Sequence, residues 1–168
     1  MSLAADLLDQ AKHLAARESG RPRQASLRRA VSAAYYSLFH LIVDDAASFL
    51  ARSSRLRPVV ARSFEHKVIR KAAAAIGDVA RRPSSNHWMQ PLLDVPISAE
   101  LVEVCDTFVN LQEHRHRADY DGTMRFTRVQ TNGLVSDAFW AHTRWRTERT
   151  SHNARVFVLA SAQLLGSR

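Results

Sequence analysis

The chain of 168 residues is poor in everything that breaks or staples a fold. It has one cysteine, five glycines and five prolines. A single thiol, Cys105, placed within an apolar helical run, excludes a disulfide framework and a thiol-rich metal site. No apolar run approaches the eighteen or so residues of a membrane span, and no membrane partner is expected. The stretch MSLAADLLDQAKHLAARE has charges spaced through it and lacks the apolar core of a signal peptide, so a cytoplasmic location is expected. There is no Gly-rich phosphate loop, no Ser-His-Asp spacing of known type and no His/Cys cluster, which leaves cofactor-dependent and metal-dependent enzyme classes unsupported; no cofactor and no metal are expected.

What is present favours helix. Twenty-five alanines accompany many leucines and arginines, and the apolar fraction is 46%. Composition therefore predicts an all-α protein, and the length predicts a single domain over residues 1–168. The net charge of +8 points to an acidic partner, nucleic acid first and an anionic surface second. Because the basic residues are 21 Arg against 3 Lys and are dispersed along the chain, a bias of codon composition explains the charge equally well.

Apolar periodicity predicts five to six helices in an up-and-down bundle. The first runs over 2–17 with Leu3, Leu7, Leu14 and neighbouring alanines on one apolar stripe, closed by Gly20 and Pro22. The second is long, over 24–53, and buries Leu27, Ala30, Ala34, Leu38, Leu41, Ile42 and Phe49. A third is expected over 58–80 with Pro58 in its first turn. Three prolines in RRPSSNHWMQPLLDVPIS make 81–98 a loop, with Trp88 and Met89 pinned to the bundle. Ser98 caps a fourth helix reaching Tyr120, Thr127 and Gln130 form a capping box for a fifth reaching Arg146, and ARVFVLASAQLL is a sixth helix in preference to a strand.

The densest chemistry is LQEHRHRADYDG at the end of the fourth helix. Leu101, Val104, Cys105, Phe108, Leu111 and Gln112 define its buried stripe, and the same steps carry on to Arg115, Ala118 and Asp119. Arg115 and Asp119 are thus expected to point inward and to pair one turn apart, with Asp45 of the second helix as a further partner for Arg115. His114 and His116 point to different sides of the helix and cannot share a metal without ligands from elsewhere. The arrangement has two readings: a charged helix end locked by an ion pair, or a cleft in which guanidinium and imidazole hold a phosphodiester while Tyr120 stacks on a base. Trp140 and Trp145, among Arg144 and Arg146, are weighed in the same way between core packing and single-stranded RNA binding. Tyr35 and Tyr36 read as core and interhelix hydrogen-bonding residues, and His40 as a structural histidine.

Two segments together resemble the paired signatures of the HEPN domain family (higher eukaryote and prokaryote nucleotide-binding). They are RRAVSAAYYSLFHLI, from Arg28 to Ile42, and LQEHRHRADYD, from Leu111 to Asp121. The first resembles the family's Ala-Tyr-Tyr-x-x-Phe-His core helix. The second resembles the Arg-x-x-Ala-Asp-Tyr variant of its functional helix. The resemblance implies a HEPN-like bundle, commonly a homodimer, that is often a metal-independent endoribonuclease of toxin-antitoxin or phage-defence systems. Other members are non-catalytic modules partnered by a nucleotidyltransferase. It carries the family's Arg onto Arg115 and the variant's Asp-Tyr onto Asp119 and Tyr120. If the chain cleaves RNA, Arg115 answers the phosphate charge, His116 is the candidate general acid or base, and Asp119 and Tyr120 orient them. The sequence departs from the active pattern where a His should follow Arg115: those positions hold Tyr120, Asp121 and Gly122. His116 is a local extra, rotated about 100° from Arg115 on a helix. A basic duplex-DNA-binding bundle is the third option, without a recognisable reading helix behind it.

Overall fold

The computed structural model describes residues 2–83 and 87–165. Among them all regular structure is helical: α1 (Leu3–Ala16), α2 (Gln24–Leu50), α3 (Arg57–Ala61), α4 (His66–Arg81), a short 3-10 turn (Gln90–Leu92), α5 (Ala99–Tyr120), α6 (Arg128–Glu148) and α7 (His152–Ser161). The chain is an all-α helical bundle. Among the described residues seven α-helices stand where five to six were expected, because the third breaks in two. No glycine or proline marks the break. Ser63 and Phe64 turn their amides onto the Val60 and Ala61 carbonyls, a tight closing turn, and the Ser63 hydroxyl takes the Val60 carbonyl as well. The turn leaves Phe64 buried, while Val59, on the helix before it, stays in solvent. Residues 84–86 of the expected loop lie outside the described residues.

The chain divides into two compact units. The first comprises residues 1–41 and 110–142, and contains α1, the start of α2, the end of α5 and most of α6. Here α1 buries Ala4, Leu8, Ala11 and Ala15, while Leu3 is exposed and Leu7 and Leu14 are only partly covered. The alanines of the expected stripe are therefore buried, together with Leu8, while its three leucines lie one residue off the buried face; small residues there admit close helix approach. The capping box forms as read, Gln130 accepting from the Thr127 amide at 3.0 Å and Thr127 from the Gln130 amide at 3.2 Å. Gly133 sits exposed within α6, and a Cβ there would meet no atom. Gly133→Ala is expected to stabilise by roughly 0.5–1 kcal/mol through backbone entropy, read as a rise in melting temperature of about 1–4 °C.

The second unit comprises residues 42–109 and 143–168. Its α4 packs on α7. Trp145, fully buried, stands edge-on to Phe157 at 5.9 Å and donates its indole N–H to Asp45 at 2.9 Å. Asp45 also takes Arg149 at 3.0 Å, so the carboxylate expected to meet Arg115 is occupied by two donors of its own unit. Leu101, Val104, Cys105 and Phe108 of α5 are fully buried, as read from their spacing. Burial pushes the Cys105 thiol well above its ordinary pKa, which leaves it a packing group and not a nucleophile. Met89 is buried, and Asn153 holds the segment after it by exchanging two 2.8 Å hydrogen bonds with the Asp94 backbone. Ser98 caps α5 through the Leu101 amide. Phe49, expected in the core, is 47% exposed in the last turn of α2, where the Arg155 guanidinium lies over its ring. Among the described residues, no helix is long and apolar enough to cross a membrane.

Candidate functional site

The first unit gathers the charged end of α5 against the N-terminal half of α2. On α2, residues 28, 32, 35 and 36 are spaced so that one face carries an arginine, a serine and two tyrosines. Each meets a group from residues 115–124. Arg28 donates to the carbonyls of Ala118 and Asp121, both at 2.8 Å, and to that of Met124. It thereby caps the last turn of α5, whose carbonyls have no helical partner. Gln24 holds the next segment, its amide bonding both the N–H and the carbonyl of Phe126 at 2.9 and 2.7 Å. Asp121 closes the turn between them by accepting from the Thr123 hydroxyl and from the amides of Thr123 and Met124. Those bonds, the Thr123 hydroxyl foremost, hold the Asp121 carboxyl below its ordinary pKa. Arg28→Ala is expected to cost roughly 1–2 kcal/mol by stripping three carbonyls of a charged donor, seen as a lower urea midpoint at unchanged slope.

Above this capped end lies the Arg115 guanidinium. Its side chain is 19% exposed and that of Asp119 is 20% exposed. Nε stands 2.8 Å from Asp119 Oδ2. The N–H is not aimed along that line, which makes the contact an ion pair and not a hydrogen bond. An Nη2 proton goes to the Tyr36 hydroxyl oxygen, and the other carboxylate oxygen of Asp119 accepts from Ser32 at 2.7 Å. The inward pairing read from helical spacing is thus present, with a hydroxyl from α2 on each member. Burial works against the arginine's charge, but Tyr36 and Asp119 outweigh it and hold its proton more tightly than usual.

The chain has three tyrosines, and all three surround this one guanidinium. Ring centroids lie 5.2 Å away for Tyr36, 5.6 Å for Tyr120 and 6.0 Å for Tyr35. Tyr35 and Tyr36 meet edge-on at 5.3 Å. Tyr35 is fully buried, and that burial raises its hydroxyl pKa against the pull of Arg115. Tyr120 is 69% exposed, so the enclosure opens to solvent on its side.

No family model, curated protein or solved structure matches the chain. Of the four residues singled out in α5, Arg115, Asp119 and Tyr120 come together around one charge. His116 is exposed and does not join them directly; its ring rests against Tyr120 at 5.0 Å. His114, one residue before Arg115, bonds the Asn110 carbonyl at 2.9 Å. Beside the cluster Ala25, Arg28, Arg29, Ala118, Asp119 and Tyr120 line a cleft of about 440 Å³. Arg29 is exposed on its wall.

Arg28, Arg29 and Ser32 lie in the Arg28–Ile42 segment without a role having been read for them, although their spacing from Tyr35 and Tyr36 places them beside the cluster. His142, not singled out in the sequence, is buried, and its Nε2 lies 3.2 Å from the Ser37 hydroxyl. Trp140 and Trp145 part company: the first is 51% exposed and the second is core. Among the described residues no three of His, Cys, Asp and Glu are grouped to hold a metal ion.

Proposed function

We propose that this chain is a HEPN-like, RNA-associated helical protein of a bacterial defence or toxin-antitoxin system, working inside the cell as a homodimer. One observation carries the reading. The two segments that bear the family resemblance are bonded to each other residue by residue: Arg115 to Tyr36, Asp119 to Ser32, and Arg28 to the carbonyls that end α5. Motifs roughly 80 residues apart in the chain have a common purpose if they build one site. That site has an arginine at its centre, an exposed aromatic ring at its mouth and a cationic wall. An RNA strand asks for those features: a ring on which a base stacks and guanidinium groups for the phosphates.

Within this reading the geometry favours binding over cleavage. Arg115 is already committed to Asp119 and Tyr36, and the positions where a histidine would follow it hold Tyr120, Asp121 and Gly122. Arg115 therefore organises the cluster, while Tyr120, His116 and Arg29 at its solvent edge meet the strand. In the catalytic version Arg115 would turn to the scissile phosphate and His116 would move the proton, with Asp119 and Tyr120 orienting them. The engagement of Arg115 equally suits a non-catalytic module whose partner is a protein such as a nucleotidyltransferase.

Labelled single-stranded RNA incubated in chelator with the protein and with Arg115→Ala, below the melting temperature of both, separates the versions. Retarded, intact RNA is expected from the native chain, with retardation weakened in the variant. Cleavage by the native chain alone would make it a metal-independent endoribonuclease. Absence of retardation by the native chain would overturn RNA association and leave the partner-protein reading.

A further inference from the structure

The second unit contains a helix that faces the wrong way. An amphipathic helix normally turns its apolar stripe toward the core. In the turn leading into α3, and in α3 itself, Leu56, Val59 and Val60 stand at i, i+3 and i+4, the pattern of such a stripe. Yet no residue of α3 is buried, and residues 52–59 are all exposed, Leu56 by 56% and Val59 by 62%. The segment is nonetheless ordered. The Leu56 amide bonds the Ser53 carbonyl, those of Val59 and Val60 bond the Leu56 carbonyl, and Arg57 Nε reaches back to the Ala51 carbonyl at 3.3 Å.

Charge completes the pattern. Between Asp45 and Glu65 the sequence has Arg52, Arg55, Arg57 and Arg62 and no acidic residue. Of the flanking carboxylates, Asp45 is occupied by Trp145 and Arg149 and Glu65 by Lys67 at 3.3 Å, while Asp44 lines a cleft with Arg57 that Arg52, Arg55 and Arg62 do not line. Arginines thus bracket an exposed aliphatic stripe on both sides.

We propose that the Arg52–Arg62 segment docks this protein on an anionic lipid surface, with Leu56 and Val59 entering the acyl boundary and the four arginines taking the headgroup phosphates. A chain without a membrane-crossing helix can still lie on a membrane in this way. The observations select lipid from three other occupants. A nucleic acid would take the arginines and leave Leu56 and Val59 wet, since aliphatic side chains offer a base nothing to stack on. A second copy of the segment would bring four more positive charges against the first. A peptide helix binds in a groove, and the cleft beside α3, lined by Asp44, Ala47, Ser48, Arg57, Pro58 and Ala61, includes neither Leu56 nor Val59. A bilayer accepts exposed aliphatic side chains without a groove, and both apolar insertion and basic residues near anionic headgroups contribute to holding them.

The test is sedimentation of the full chain with vesicles of phosphatidylcholine alone and of phosphatidylcholine mixed with phosphatidylglycerol. Co-sedimentation is expected only with the mixed vesicles, falling several-fold as salt is raised. The double variant Leu56→Asp/Val59→Asp should bind at least about tenfold more weakly, because two buried aliphatic side chains are lost. Its helical circular dichroism should be unchanged, since both positions are exposed. A second double variant, Arg52→Gln/Arg55→Gln, should weaken binding and flatten its salt dependence, while leaving fold and apolar stripe intact. Failure of the native chain to sediment with the mixed vesicles overturns the proposal, as does equal binding by the native chain and the aspartate variant. Capture of single-stranded RNA or of an acidic peptide, lost in the arginine variant and unaccompanied by vesicle binding, overturns it in favour of that ligand. The RNA site of the first unit stands or falls separately, because neither variant touches it.

Discussion

Arg115→Ala should lower the stability of the protein by roughly 2–4 kcal/mol, because it removes the one charge around which Asp119, Tyr36, Tyr35 and Tyr120 are arranged. The cost falls below that of a fully orphaned buried carboxylate, since Asp119 keeps the Ser32 hydroxyl and some access to water. With about 2–4 °C of melting temperature per kcal/mol for a chain of this size, the thermal midpoint should drop by about 5–15 °C. Arg115→Lys gives a finer reading. It keeps the charge beside Asp119, but an ammonium cannot present a planar fork to Tyr36 while lying among three rings. An intermediate loss is expected, near half that of the alanine variant. Equal midpoints for the native chain and Arg115→Ala would mean the cluster contributes nothing to folding.

Trp145→Ala should cost about 3–5 kcal/mol, the range for deleting a large side chain from a close-packed site. Trp145 is fully buried, edge-on to Phe157, and bonded to Asp45. The alanine leaves a cavity and takes one of the two donors from that carboxylate. Trp145→Phe keeps most of the volume and loses the indole N–H, for roughly 1–2 kcal/mol. Trp140→Ala, at a position half in solvent, should move the denaturation midpoint by less than about 0.5 kcal/mol in free energy. The contrast between tryptophans five residues apart checks the orientation of α6 directly.

The fold class was legible because the helical signals were redundant. Every member of the α5 stripe from Leu101 to Leu111 repeats the same three- and four-residue step, and the caps at Ser98 and Thr127 agree with it. Where two solutions shared one period, the pattern could not choose. In α1 leucines and alanines share one apolar band, and the buried line through Ala4, Leu8, Ala11 and Ala15 runs a single residue away from Leu3, Leu7 and Leu14. The break after α3 was hidden for another reason: it depends on the burial of Phe64, a tertiary preference that leaves no glycine or proline behind. Asp45 shows the same limit, since its spacing fitted an inward carboxylate without saying which donor it would meet.

The candidate site was half legible. Helical spacing placed Arg115 and Asp119 together, and the resemblance drew attention to Tyr120. The resemblance drew attention to the Arg28–Ile42 segment as a whole, but the contacts of Arg28 and Ser32 went unread because they act across helices, and one helix's periodicity does not name its partner. His116 fared as its offset of about 100° from Arg115 implied: it reaches the cluster only through the Tyr120 ring.

The most direct test of RNA association through this cluster is the affinity for labelled single-stranded RNA, measured in chelator for the native chain and for Tyr120→Ala. Tyr120 is exposed, so its removal should spare the fold, while loss of one stacking platform worth about 1–3 kcal/mol should weaken binding roughly five- to a hundredfold. Equal affinities, with both proteins folded, would contradict the account.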